Sequence, residues 1–494
     1  MECPRLPVLA RRVPVVSIAV RDLWDVPPAI GVEPSRRAWP STRDLLLAGT
    51  GLNVIAYASM EPVAVAAVFG LVGLVLVGHT RMGGVHEMRM YRMMFAVGWL
   101  MAGVAAVYAN YWNDPGQNLS DAASFYELAS GGSGDLSLED MRVLTEGAGA
   151  VMLWSSVYDA FASAGFAKGR YVGILINVFA VALAGVIAIK TAKCIVGEDA
   201  PRLNRLILLF SLCGIFWLFA AIHLRDGVVL LSVTLLVYCW ARYLAHPRWF
   251  DLVLLVSASA LGVVGFAFLR AEFAMVPFAM AMAGVTAGLL FNSARGSTRL
   301  GMWTLALVCL VGGMVVAIDA DVLGSLERSR ENYKQLAAQS ASSESLGNRY
   351  VTNAPLPVRL VVGSIYLFLF PIPFWSGFGG ASAYHLFKSC NVLFFYAVTP
   401  LVALTGFRLY ELDAVKLRGV MFLFFVVIGF TVGVAATSLE TRHFGAFVAP
   451  LLVLATVPDL RLKRDWRAYT TLLSVVVAVM ASIHTAWAVL KLLR

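Results

Sequence analysis

Residues 205–244 read RLILLFSLCGIFWLFAAIHLRDGVVLLSVTLLVYCWARYL, and this stretch decides the fold class. It holds two apolar runs, each long enough to cross a bilayer as a helix, and a short charged turn at Arg225–Asp226 joins them. In the hydrocarbon core of a bilayer a backbone can cross only as a helix or within a closed barrel, and runs this apolar favour helices. The stretch therefore predicts a transmembrane helical hairpin with a charged pair at its turn.

Apolar runs of this kind recur along the chain, from Leu45 to Leu490. Hydrophobic residues make up 59% of the 494 positions and charged residues 14%, whereas a soluble domain carries about 25% charge. We expect an all-α, polytopic integral membrane protein with about 13 transmembrane helices in one domain, 45–494, after a basic cytoplasmic segment, 1–44. The predicted crossings lie near 45–58, 63–79, 92–110, 171–190, 205–223, 226–244, 249–268, 273–291, 300–318, 388–406, 416–435, 443–458 and 469–489.

The positions of Arg and Lys predict which helix ends face the cytoplasm, because cytoplasmic loops of membrane proteins are enriched in both residues. Alternate connections carry these residues, among them Arg89, Lys190, Lys193, Arg202, Arg242, Arg248, Arg295, Arg299, Arg408, Lys416, Arg461 and Lys463. The opposite side then holds two long loops, 111–170 and 319–387. We expect an amphipathic surface helix over Gly147–Phe166 in the first loop and a re-entrant or interfacial helix near 358–375 in the second.

Several classes of function are disfavoured by the same sequence. The net charge of +9 follows from the topology, and no soluble segment interleaves basic with aromatic residues, so we expect no nucleic-acid partner. The six cysteines form no CxxC pair, which predicts neither a disulfide framework nor a zinc site. The absence of a Walker motif, of HExxH and of GxSxG leaves nucleotide-driven transport and zinc proteolysis unsupported.

Function is expected where charge is kept close to the bilayer, and two tight turns do this. Arg225 and Asp226 occupy the first turn, and Arg270 and Glu272 occupy the next turn on the same side. Arginine binds phosphate oxygens through two parallel hydrogen bonds, so each turn is a candidate diphosphate clamp. The alternative is structural: Arg225 and Asp226 would pair with each other, Asp226 would cap the next helix, and Arg270 would extend to the interface.

A third candidate site precedes the apolar run near 443–458. Arg442 and His443 stand at the start of this run, directly after Glu440 and Thr441. The positive end of a helix dipole would add to the Arg442 charge, so the region predicts an anion site. Glu440 would balance that charge or act as a base, and His443 would either bind substrate or only cap and pack.

The two long loops offer a candidate base and a candidate phosphate contact. Asp121 and Tyr126 lie in the run SDAASFY, residues 120–126. The Asp121 carboxylate would take a proton from a sugar hydroxyl, or Ser120 or Asp121 would only cap a short helix. In the second loop Arg349 follows a stretch rich in Ser and Ala, where it would be either solvated or a moving phosphate contact.

Together these motifs resemble those of bacterial polysaccharide polymerases of the Wzy and EpsG-like type and, more distantly, those of GT-C glycosyltransferases. The matching segments are Asp121–Ala122 with Phe125–Tyr126, His223–Leu224–Arg225–Asp226, Leu269–Arg270, Pro371–Ile372–Pro373–Phe374–Trp375 and Thr441–Arg442–His443. The resemblance implies a polymerase that joins polyprenyl-diphosphate-linked oligosaccharides on the periplasmic face of a bacterial inner membrane. It also implies membrane lipid as surroundings and a regulator of chain length as a partner.

The resemblance assigns roles to the candidate residues. Arginines on outer loops of such polymerases are thought to hold the diphosphate, and Glu272, His443 and Tyr126 would complete substrate binding; the arginines here are Arg225, Arg270, Arg349 and Arg442. The base would be Asp121, Asp226 or Glu440, with no cofactor. GT-C enzymes place a catalytic carboxylate in the first outer loop, but that loop has no Asp-Asp or Asp-x-Asp pair here, which argues against a divalent metal.

Two other functions stay open. A flippase or transporter of lipid-linked oligosaccharides would place cationic residues around a central cavity at mid-membrane. A GT-C transferase that uses a polyprenyl-phosphate sugar would add one sugar only and would depend on a divalent metal.

Overall fold

A computed structural model describes residues 41–57, 84–112, 120–131, 138–291, 354–369, 373–379 and 382–492, and also 307, 311–315, 324, 331 and 351. The α-helices of these residues are α1 (Thr42–Tyr57), α2 (Val85–Trp112), α3 (Ser120–Ser130), α4 (Leu138–Ser163), α5 (Arg170–Val196), α6 (Ala200–Leu212), α7 (Gly214–Ala221), α8 (Asp226–Ala245), α9 (Trp249–Leu269), α10 (Val276–Leu290), α11 (Leu356–Leu369), α12 (Ala383–Phe407), α13 (Ala414–Ala436), α14 (Thr441–Gly445), α15 (Val448–Leu454) and α16 (Lys463–Leu492). Short 3-10 helices cover Ala271–Met275, Phe374–Gly377 and Leu409–Glu411. The described residues form no strand, so the expected all-α class holds for them.

The protein is a multi-pass helical membrane protein. Eight of the described helices are long and apolar enough to cross a bilayer, and the bent pair α6–α7 would make a ninth crossing. Large apolar side chains such as Leu261, Phe268 and Val475 are exposed, as lipid-facing side chains are. Of the other predicted crossings, α1 has 16 residues, 63–79 lies outside the described residues and 300–318 lies largely outside them. The basic segment 1–44 is described only from residue 41 onward.

The two ends of the helix bundle differ in their charges. One end, here the basic end, contains the connections α5–α6, α8–α9, α12–α13 and α15–α16. Ion pairs join its elements: Lys193 Nζ lies 2.7 Å from Glu87, Arg461 2.7 Å from Asp199, and Arg408 2.7 Å from Asp465. We call the opposite end the site end, and it contains the turn before α8, the 3-10 helix before α10 and the turn before α14.

Two crossings are broken, which the sequence pattern did not predict. The run predicted as one helix near 205–223 bends by 58° between α6 and α7. Asn391 of α12 supplies a hydrogen-bond acceptor at the break, because its Oδ1 accepts from the Ile215 backbone N–H (3.2 Å) and from Cys213 Sγ (3.6 Å). Backbone outside a continuous helix is tolerated at membrane depth only where the protein encloses it, and Asn391 is 1% exposed.

The second break lies in the run predicted as one helix near 443–458. The structure has a five-residue α14 and a seven-residue α15 there. The hydroxyl of Thr405 donates to the Leu454 carbonyl (2.7 Å), and Arg205 donates to the Thr456 and Pro458 carbonyls. The dipole of a long helix therefore does not stand behind Arg442, and the expected contribution of that dipole is wrong.

The first predicted loop is mostly helical. The expected surface helix is α4, which begins at Leu138 and ends at Ser163, so the predicted bounds of Gly147 and Phe166 are wrong. Ala150, Trp154 and Tyr158 are buried at four-residue spacing, which is the amphipathic pattern of a helix lying on the bundle. Their burial places α3 and α4 as a cap over the site end.

The helix α11 is shorter than a full crossing. It has 14 residues, fewer than the roughly 20 residues that a crossing needs. Arg359 near its start contacts the Ala435 carbonyl, and Lys388 near the start of α12 contacts Glu440. Both ends of the segment that includes α11 thus return to the site end.

The two broken crossings meet at Gly445, which gives a first prediction. A Cβ at Gly445 would lie 2.5 Å from Phe219 Cζ and 2.7 Å from Ile215 Cγ1. We expect Gly445→Ala to lower the free energy of unfolding by about 1–3 kcal/mol through overpacking, measured by thermal unfolding in detergent.

Gly429→Ala is the matched control, since nothing lies within 4 Å of a Cβ there. Alanine favours a helix over glycine by about 1 kcal/mol, so this control should be neutral or stabilising. Equal effects of the two changes would contradict the proposed packing of the broken crossings.

Candidate functional site

The charged residues of the site end form two clusters. The first, the hairpin cluster, surrounds the turn before α8 and includes Tyr126, Tyr158, His223, Arg225, Asp226 and Arg270. The second, the Glu440 cluster, consists of Tyr384, Lys388, Glu440 and Arg442. Both clusters bring together residues that are far apart in the sequence.

The turn of the hairpin cluster is held from α5. The amide of Asn177 donates to the Ile222 carbonyl (2.9 Å) and to the Leu224 carbonyl (2.7 Å). Arg225, directly after this turn, donates to the Leu269 carbonyl (3.0 Å), and its guanidinium lies 5.4 Å from the centroid of the Phe125 ring. The turn before α8, the end of α9 and the helix α3 are thereby fixed to one another.

Asp226 pairs with Arg270, not with Arg225. Arg270 Nη1 lies 3.2 Å from Asp226 Oδ1, and both residues are buried. The structural alternative, in which Arg225 and Asp226 pair with each other and Asp226 caps the next helix, is therefore wrong in both parts, because α8 also has no side-chain cap at its start. The cause is tertiary: α9 returns to the same turn and brings Arg270 to the carboxylate.

An aromatic box under α4 completes the hairpin cluster. Tyr158 Oη and His223 Nε2 are 2.7 Å apart, and the rings of His223 and Trp154 have centroids 4.2 Å apart. The Tyr126 hydroxyl donates to the Lys168 carbonyl (2.9 Å), and the Arg170 guanidinium lies 4.8 Å from the Tyr126 ring centroid. The amphipathic spacing of α4 was the sequence signal for Trp154 and Tyr158, whereas nothing in the sequence pointed to Arg170.

In the Glu440 cluster a partly buried carboxylate pairs with a buried lysine. Glu440 Oε1 accepts from the Tyr384 hydroxyl (2.8 Å) and from Lys388 Nζ (3.0 Å). The side chain of Lys388 is 5% exposed and lies near the start of α12. Sequence reasoning missed Lys388, although it is the only Lys, Arg, Asp or Glu between Arg359 and Arg408.

Glu440 is held in its ionised form. Burial raises the pKa of this carboxyl, but the charges of Lys388 and Arg442 and the bond from Tyr384 outweigh burial and bring the pKa below its ordinary value. A carboxylate with a lowered pKa and two donors is a weak base at neutral pH. His443 Nδ1 lies 2.8 Å from the Ser438 hydroxyl, which supports the turn that carries Glu440.

Aromatic side chains connect the two clusters. The Arg270 guanidinium lies 4.8 Å from the Phe273 ring centroid, and Phe273 packs at 5.8 Å against Phe447, just after α14. Phe447 stacks on Phe430 of α13 with centroids 3.8 Å apart. The two clusters are therefore joined at the site end by the packed rings of Phe273, Phe447 and Phe430.

An apolar cavity of about 660 Å³ lies between α11, α12, α13 and α16. Thr399 and Thr431 line it, but their hydroxyls donate to carbonyls of their own helices, so the wall offers hydrocarbon surface. Phe368 also lines the cavity and packs at 5.1 Å against Phe444 of α14, the helix that carries Arg442. Tyr396 lines it eight residues after Lys388, about 12 Å along α12.

The structure describes no side chain for three predicted site residues. Asp121 lies in α3 and Glu272 in the 3-10 helix before α10, but their side chains are outside the described residues, as is the whole of Arg349. Among the residues with described side chains no group of three or more His, Cys, Asp or Glu could hold a metal ion. No family model, curated protein or solved structure matches the chain.

The buried pair of Asp226 and Arg270 gives a second prediction. We expect Arg270→Met alone to lower the free energy of unfolding by about 3–5 kcal/mol, because it leaves a buried carboxylate uncompensated. Adding Asp226→Leu should recover much of this loss. Unfolding of the two single variants and the double variant in mixed detergent gives the interaction energy of the pair. The control is Lys416→Met, at the half-exposed pair with Asp413, which should have a much smaller effect. Additive effects of the two changes would contradict the ion pair.

The buried imidazole gives a third prediction. Burial, helped by the nearby Arg170 charge, lowers the pKa of His223 from 6.5 to about 3. Between these values the unfolded chain binds a proton that the folded chain excludes, so His223 makes the protein less stable as pH falls from 6.5 towards 3. We expect His223→Gln to flatten the dependence of the unfolding midpoint on pH in this window. His246→Gln, at a solvent-exposed histidine, should leave it unchanged, and a wild-type slope in His223→Gln would contradict the burial of a neutral ring.

Proposed function

We propose that the chain is a membrane glycosyltransferase that polymerises polyprenyl-diphosphate-linked oligosaccharides at its site end. Two observations carry the proposal: the cations of the Glu440 cluster, and an apolar cavity whose wall includes Tyr396, eight residues along α12 from Lys388. Lys388 and Arg442 supply cationic charge at the level where a phosphate would lie, and the cavity supplies hydrocarbon walls about two helical turns deeper. An amphiphile with a long apolar tail, a phosphate and a polar head fits both parts.

The positions of the cations suit the departure of a diphosphate. In the proposed step an acceptor hydroxyl forms a bond to the anomeric carbon of the donor sugar, and the bond from that carbon to the diphosphate oxygen breaks. Negative charge grows on the leaving diphosphate, where Arg442 and Lys388 would stabilise it. Because a diphosphate is already a good leaving group, the step needs no metal ion.

The base in this proposal is Asp121. Asp226 is already neutralised by Arg270, and Glu440 has a lowered pKa and two donors. The helix α3 carries Asp121 one turn before Phe125, and Phe125 lies against Arg225. Arg225, Tyr126 and the cap formed by α3 and α4 would hold the sugars. In a bacterial inner membrane the basic end would face the cytoplasm, so the site end would face the periplasm. A regulator of chain length would be a partner.

The broken crossings favour a second candidate, a flippase for the same lipid-linked oligosaccharides. Transporters often build their substrate sites from discontinuous helices, and here α6–α7 and α14–α15 pack against each other. Arg225 and Arg270 of the hairpin cluster lie away from these breaks, which favours the transferase. Arg442 lies in α14 itself and Lys388 is next to Phe387, which packs on Gly214 at the first break, so the flippase stays the second candidate.

The test is deletion of the gene in its source bacterium, followed by gel analysis of lipid-linked and surface glycans. Loss of the long ladder with export of single repeat units supports the polymerase. Repeat units that accumulate without export support the flippase, and units that lack one sugar support a GT-C transferase.

Complementation by variants then tests the site. We expect Arg442→Ala and Lys388→Met to reduce ladder synthesis at least 100-fold, in the range seen when a donor to the developing charge is removed. Arg248→Ala, at an exposed arginine of the basic end, is the matched control and should restore the full ladder. A full ladder from Arg442→Ala at equal protein level would overturn the proposal.

A further inference from the structure

Arg359 is the largest charged side chain that the described bundle buries completely. It lies in the first turn of α11 and is 0% exposed. Its Nε donates to the Ala435 carbonyl (2.9 Å), and its Nη2 donates to the Thr437 carbonyl. An arginine this close to a long loop would ordinarily be solvated, so its burial is a feature of the tertiary structure.

The two carbonyls belong to the end of α13, where helix carbonyls lack partners within the helix. Unsatisfied carbonyls away from water are costly, and a cation at a helix C-terminus also interacts favourably with the helix dipole. Arg359 meets both needs. It thereby fixes the turn that follows α13, residues 437–440.

This turn contains a strained residue. Leu439 has φ +53°, a left-handed conformation that is costly for a side chain with a Cβ. The buried Leu439 side chain packs on α11 one turn after Arg359, where a Cβ at Gly363 would lie 2.8 Å from Leu439 Cδ2. The strained conformation is therefore held by α11 from two sides, through the guanidinium of Arg359 and through the space above Gly363.

The residue after Leu439 is Glu440, the acceptor for Tyr384 and Lys388. A left-handed residue reverses the chain direction, so the position of the Glu440 carboxylate depends on the conformation of Leu439. We propose that Arg359 is a positioning residue for the Glu440 cluster: it holds the strained turn that places Glu440 against Lys388. The proposal deepens the transferase proposal, because it assigns to α11 the geometry of the phosphate-binding charges.

Two variants separate positioning from plain stability. Arg359→Gln removes the cation at the end of α13. Arg205→Gln is the matched control, because Arg205 is also an arginine that donates to two carbonyls after a helix end, at the basic end. Hydrogen exchange of the full-length protein in nanodiscs reports on the turn, and binding of two probes, a polyprenyl diphosphate and the polyprenol without phosphate, reports on the site.

We expect exchange of the 438–443 amides to be at least tenfold faster in Arg359→Gln and unchanged in Arg205→Gln. We also expect Arg359→Gln to weaken polyprenyl diphosphate binding at least tenfold while polyprenol binding is retained, and Arg359→Lys to recover part of the loss. If Arg359→Gln does not fold, Gly363→Leu, which intrudes on Leu439 from the same helix, takes its place with the same expected results.

Unchanged exchange at 438–443, or equal loss of both probes, would overturn the positioning role. A different result would separate the two proposals: exchange at 438–443 is faster in Arg359→Gln, but the wild-type protein itself does not bind polyprenyl diphosphate. This result would overturn the transferase proposal and would still support the role of Arg359 in placing Glu440.

Discussion

A backbone inside a bilayer has to satisfy its own hydrogen bonds, and the two broken crossings of the described bundle show how neighbouring helices meet this constraint. The two broken crossings persist because neighbouring helices supply the missing partners. Asn391 binds the backbone at the break before α7, and Thr405 and Arg205 bind the carbonyls after α15. Arg359 does the same for the end of α13 at the opposite side of the bundle. Polar side chains of the interior therefore act mainly as partners for the backbone, and they set where helices bend.

The charges of the site end obey a related constraint, since a buried charge needs an opposite charge and further hydrogen bonds. Asp226 meets this need through Arg270, and Glu440 through Lys388 and Tyr384. Such pairing keeps the cations in fixed places, and at Glu440 it also brings the pKa of the carboxyl below its ordinary value. Fixed cations suit the binding of a phosphate better than they suit proton transfer. This division is the reason that the proposed base is sought in α3, outside both ion pairs.

Much of the fold follows from the sequence pattern, and the failures have identifiable causes. The turn at Arg225 and the helices on either side of it follow from two apolar runs with one charged interruption. The break at Cys213 does not, because its cause is Asn391, which lies 178 residues later in the chain. In the same way the partner of Asp226 is 44 residues away, so the sequence offered only the adjacent Arg225 as an alternative partner. Lys388 was overlooked because it stands at the start of a long apolar run, where a single lysine is also typical of a helix end at the membrane surface.

The sequence by itself determined that the chain is helical and lies in a membrane, because apolar length and the positions of Arg and Lys are local properties. It also determined which turns carry charge. Only the tertiary structure decided which charges meet, since pairs such as Lys388 with Glu440 depend on the packing of distant helices. It likewise decided that Arg359 is buried, and that an apolar cavity lies between α11, α12, α13 and α16. Hydropathy is fixed residue by residue, whereas the partner of a buried charge is fixed by how the helices pack.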